Sequence, residues 1–222
     1  MQLTGALSNR SKGYSRDERI LERIHTHRCL NTEQIQVLLF PLTASGKRKC
    51  QQRLKRLTDQ KRLQRWRYDL EQPYAYYRER LEQMQHTVLL NWAVIWIERQ
   101  LKSWEEIHSV NYNQGMGVLI ADCFISIRNI ATGQFRFFFI EMDIHHPANE
   151  FDKVRKYNKL FEKLPNQWWV KQTKRFPKTL LITDNERKLK KINELVRTEN
   201  KNGLEFESYL VGNIRREVLS CK

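Results

Sequence analysis

The chain has 222 residues, with 40 Lys and Arg against 25 Asp and Glu, a formal net charge of +15 and a pI near 9.8. One or two domains fit this length, and 40% apolar residues with six Trp, eight Tyr and ten Phe are enough for a real core. Such a charge calls for a polyanionic partner, with nucleic acid ahead of an anionic membrane surface.

No membrane span is expected, because the apolar run 88–97 is short and broken by Asn91. The opening MQLTGALSNRSKG lacks the apolar segment of a signal peptide. The cysteines at 29, 50, 123 and 221 are scattered, without metal or disulfide spacing. These features predict a protein of a reducing cytoplasm.

Residues 1–14 are polar and read as a loose arm whose Arg10 and Lys12 can touch phosphate. Ser15-Arg16-Asp17-Glu18 has capping-box spacing and predicts a first helix with Ile20, Leu21 and Ile24 inward, ending near Arg28. Asn31-Thr32-Glu33-Gln34 repeats the spacing. It predicts a second helix that buries Ile35, Leu38 and Leu39 and stops before Pro41. A turn over 42–46 enters a third, basic helix.

The segment from Ala44 to Arg67 holds ten Lys or Arg and one acid, Asp59, for a net charge of +9. At helical period Cys50, Leu54 and Leu57 share a narrow arc, and Lys47, Arg48, Gln51, Gln52, Lys55 and Arg56 lie outside it. Arg and Lys can donate to guanine, Gln can pair with adenine, and all can grip phosphate. Strand-like runs at 63–70 and 74–78 follow, separated by Glu71-Gln72-Pro73, and this hairpin holds Arg65 and Arg67 with Arg62 just before it. Three helices and a basic hairpin form the pattern of a winged helix-turn-helix over residues 15–80, with the third helix in the major groove. The hairpin arginines suit phosphate or minor-groove contact.

A connecting helix is predicted over 81–103, strongly apolar after His86, and an α/β domain over 104–222. Within that domain strands are expected at 104–112, 118–128, 134–143, 179–183 and 204–211. Helices are expected at 150–164 and 185–198, and turns at Asn113-Gln114-Gly115 and 129–133. Alternation along 134–143 sets Phe135, Phe137, Phe139, Glu141 and Asp143 on one face, with Asp122 on the neighbouring strand. Three such acids can hold Mg²⁺, a hard cation that wants oxygen ligands. His145 and His146 are further candidate ligands, and the exposed pair Trp168-Trp169 is a candidate protein contact.

An αβββαβ core with Asp on its second strand and Glu-x-x on its third resembles the PD-(D/E)xK, restriction-endonuclease-like fold. Asp122 matches the motif's Asp and Glu141 its acidic residue, but Asp143 stands where the motif has Lys. Lys153 and Lys156 on the next helix are the candidate replacements. The resemblance therefore implies a scaffold that is catalytically degenerate. If it is active, it is a Mg²⁺-dependent nuclease using Asp122, Glu141, Asp143 and Lys153; otherwise no cofactor is implied.

With the winged helix in front, and the stretches ILERI, NTEQIQVLLF and FFIEMD, the chain resembles the replication-relaxation family of plasmids, conjugative elements and phages. That resemblance implies double-stranded DNA binding in transcriptional control or in replication and mobilisation, in the cytoplasm of a bacterial or phage-infected cell and associated with the nucleoid. The implied partners are a second copy of the chain and a replication or relaxase protein. A nuclease guided by its winged helix, or a protein-interaction module, are the alternatives.

Overall fold

A computed structural model describes residues 9–144, 150–163 and 175–220, with side chains from residue 15 onward. The chain is mixed α/β and divides into two compact units, residues 1–91 and 92–221.

In the first unit α1 (Asn9–His27) begins six residues before the expected start. Residues 9–14, expected as an arm, are helical, and the Ser15–Glu18 capping box lies inside the helix. Ile20, Leu21 and Ile24 are buried as its period requires. A three-residue strand that the sequence reading omits, β1 (Cys29–Asn31), precedes α2 (Thr32–Leu39). The α2 cap is a complete capping box. Gln34 N donates to Asn31 Oδ1 at 2.8 Å, and Asn31 N donates to Gln34 Oε1 at 2.9 Å.

α3 (Ala44–Asp59) starts on Thr43, whose hydroxyl accepts from Gly46 N at 3.1 Å. Residues 44–46, expected as a turn, are thus its first turn. Gln36 Nε2 braces the connection by donating to the carbonyls of Pro41 (3.1 Å) and Thr43 (3.4 Å). Gly46 is required there, since a Cβ would lie 2.0 Å from the Pro41 carbonyl oxygen.

β2 (Gln64–Trp66) and β3 (Ala75–Tyr77) are shorter than the runs 63–70 and 74–78. The segment between them folds on itself: Asp69 Oδ1 accepts from Glu71 N, and Gln72 N donates to the Asp69 carbonyl, both at 3.1 Å. The three strands form an antiparallel sheet in the order β1-β3-β2. Cys29, Ala75, Tyr77 and Met84 form one core cluster of this unit.

α4 (Met84–Arg99) runs across the boundary between the units. In the second unit β4 (Glu105–Gly115), β5 (Ile120–Asn129), β6 (Phe135–Asp143), β7 (Lys178–Thr183) and β8 (Phe206–Leu210) form one mixed sheet in chain order. The first three are antiparallel; β7 and β8 run parallel to β6. β4 continues through the expected turn at 113–115, with Asn113 at φ +53°, and the reversal falls at 116–119, where Gly117 has φ +81°. The predicted turn at 129–133 is present, with Asn129 Oδ1 accepting from Ala131 N and Thr132 N.

α5 (Lys153–Glu162) and α6 (Glu186–Glu199) pack on the sheet through Val154, Leu181 and Ile192. A last helix, α7 (Val211–Ser220), follows β8 directly where the sequence reading ran a strand to Val211. The larger core lies around Phe124, Phe137, Phe139, Tyr157 and Leu160. Among the described residues no helix is long and apolar enough to cross a membrane.

Candidate nucleic-acid interface and a buried ion-pair cluster

α3 is amphipathic in the sense the sequence predicts. Cys50, Leu54 and Leu57 are fully buried. Lys47, Arg48, Gln51, Gln52, Lys55 and Arg56 are all exposed, together with Lys49. Lys55 pairs with Asp59 at 2.9 Å, a solvated i,i+4 contact that leaves most of its side chain accessible. Arg53, on the flank, is 3.5 Å from the buried Asp17 of α1.

The hairpin arginines are not equivalent. Arg62 lies 2.7 Å from Glu18 of α1, so part of its charge ties α3's C-terminal end to α1. Arg65 is exposed and Arg67 half-buried, and their guanidinium carbons sit 4.6 and 4.5 Å from the centre of the Tyr74 ring. Arg67 also donates to the Leu70 carbonyl at 3.0 Å. Tyr74 is the residue the sequence reading missed. The register that pairs Arg65 with Tyr76 and Trp66 with Ala75 carries on to set Tyr74 opposite Arg67. A tyrosine across a hairpin from arginine was the available signal.

In the second unit the expected acids do come together on one sheet face. Cys123 pairs with Ile140, so Asp122 falls beside Glu141, and its Oδ2 accepts from Met142 N at 2.8 Å. Glu141 is buried and accepts from Tyr157 Oη at 2.5 Å, while Lys153 Nζ lies 2.7 Å from its other oxygen. Lys153 also donates to the Ile120 carbonyl at 2.8 Å. Asp143 is engaged separately by Lys188 Nζ of α6, at 2.8 and 2.9 Å. Lys188 was not among the predicted site residues. Lys156, the other candidate replacement for the motif lysine, points elsewhere and pairs with Asp152 at 2.7 Å.

Burial, with the charge of Asp122 beside it, pushes the Glu141 carboxyl up to about 8 against the pull of Lys153. Lys153 loses hydration too, but Glu141 and Asp122 outweigh that and raise its pKa. Burial also raises Asp143, opposed by the Lys188 ammonium. Tyr157 is driven well above the usual phenol range by burial and by Glu141.

Glu141 and Asp143 therefore each face a lysine from a different helix, and Asp122, beside Glu141, is engaged by the Met142 amide. As arranged, this donor set does not fit a divalent cation, which wants several oxygens around a single centre. Among the described residues no group of three or more His, Cys, Asp and Glu is placed to hold a metal. His145 and His146, and Trp168 and Trp169, lie outside the described residues.

No family model, no curated protein and no solved structure matches the chain. The resemblance to the replication-relaxation family thus rests on the residues and element order given above.

Proposed function

We propose that the chain is a double-stranded DNA-binding protein in which α1–α3 and the β2–β3 hairpin act as a winged helix-turn-helix. The observation that carries this is α3. Six cationic or amide side chains project from one exposed face of a helix whose opposite face is sealed by Cys50, Leu54 and Leu57. A helix so anchored presents a fixed array of donors, the requirement for reading base edges in a major groove. Arg65 and Arg67 on the wing supply phosphate contacts beside it.

The mixed-sheet unit is read as a nuclease-like scaffold without cleavage chemistry, since Glu141 and Asp143 are each held by a separate lysine. A Mg²⁺-dependent nuclease ranks behind DNA binding on that geometry. In this reading the protein serves a plasmid, conjugative element or phage as a transcriptional regulator or as a replication or mobilisation accessory, bound as a homodimer. A relaxase or replication protein is the natural further partner in the accessory role.

Sequencing the DNA fragments the full chain retains from its own element tests the reading. Enrichment beside its own promoter marks a regulator, and enrichment at a replication or transfer origin marks an accessory. Retention of no duplex fragment above background at low salt sinks the DNA-binding reading.

A further inference from the structure

We infer that Tyr74 is the positioning residue of the wing, holding Arg65 and Arg67 together as one two-guanidinium clamp for the DNA phosphate backbone. This rests on the DNA-binding reading above. Two guanidinium groups on one ring repel each other and gain by separating into water. They are nevertheless both within 4.6 Å of the Tyr74 ring centre. The negative face of the ring offsets part of that repulsion, and a phosphodiester placed between the two forks would offset the rest.

The platform is itself fixed. The Tyr74 carbonyl accepts from Thr32 N at 3.0 Å and from Thr32 Oγ1 at 3.3 Å, which ties the wing to the first residue of α2. Arg67 is held a second time through the Leu70 carbonyl. Among the described residues neither guanidinium is paired with a carboxylate, since Asp69 is turned to its own loop through Glu71 N. The clamp is therefore preorganised where the β2 and β3 strands give way to their loop, and its charge is left for a ligand outside the chain.

The test is binding of the full chain to a fluorescent duplex across a KCl series, reading the slope of log K against log[KCl]. Removing two phosphate contacts lowers the magnitude of that slope by about two. The expected result is that Tyr74→Ala and Tyr74→Leu, which remove no charge, lower it by one to two such contacts, about 0.9 each. Tyr74→Phe should keep the native slope. In an Arg65→Gln/Arg67→Gln background Tyr74→Leu should change nothing further.

The clamp is overturned if folded Tyr74→Leu protein keeps the native slope, or if it weakens binding as much in the double-Gln background as alone. Tyr74→Leu keeps the bulk of the side chain and decides the matter should Tyr74→Ala not fold. Native protein that binds duplex DNA while these variants behave like it removes the clamp alone. Native protein that binds no duplex at low salt removes the DNA-binding reading as well.

Discussion

Arg48 and the Gln51-Gln52 pair should behave differently from Arg65 when removed. Side chains that read base edges discriminate between sites; side chains on phosphates weaken all sites alike. Arg48→Ala, or Gln51→Ala with Gln52→Ala, should cost about 1–3 kcal/mol at a selected site while largely sparing non-specific duplex. Arg65→Ala should weaken both and lower the salt slope by about one. Parallel titrations of selected and scrambled duplexes separate the two classes.

A second residue-scale prediction concerns His27. Burial, helped by the nearby charge of Arg23 and opposed by Asn91, lowers its pKa from 6.5 to about 3. The unfolded chain therefore takes up the proton first. Stability from this group is complete above pH 6.5 and is lost as pH falls toward 3, by at most about 1.4 kcal/mol per pH unit. Urea midpoints at pH 7 and pH 5 should fall more for the native chain than for His27→Gln, if both are followed through a probe in the first unit.

At the scale of elements, local chemistry was legible and long-range pairing was not. The α2 cap could be read from Asn31 and Gln34 because both of its hydrogen bonds close within four residues. Asn31→Ala should cost about 1 kcal/mol, measurable as a drop in the melting temperature. The buried arc Cys50, Leu54 and Leu57 was legible for the same reason, through helical period.

β1 was invisible because three residues carry no period, and its partner in the sheet, Tyr77 opposite Cys29, is far along the chain. The start of α1 was misplaced because Ser15 has helix on both sides, and only the fold shows that its capping spacing goes unused. Gly46 read as a turn residue, but its role is to let α3 pass the Pro41 carbonyl. Gly46→Ala should displace the start of α3 and lower both melting temperature and DNA affinity. A variant with native stability and affinity contradicts that account.

For the whole molecule, the sequence placed Asp122, Glu141 and Asp143 on one sheet face and offered Lys153 from the next helix, but it did not offer Lys188. Lys153 and Lys188 come from helices separated from β6 in sequence, and only packing brings each to its carboxylate. A buried pair is costly to break from one side. Lys188→Met should destabilise the second unit by about 3 kcal/mol, and Asp143→Leu in the same chain should recover most of it. Chemical denaturation of the single and double variants measures this directly.

The central claim, that α3 is the DNA-reading helix, is tested most directly by equilibrium binding of the full chain to duplex fragments that the native chain selects. The account predicts that a folded chain carrying Arg48→Ala, Gln51→Ala and Gln52→Ala loses its preference for selected over scrambled duplex while keeping most non-specific affinity. A folded triple variant with undiminished preference contradicts it.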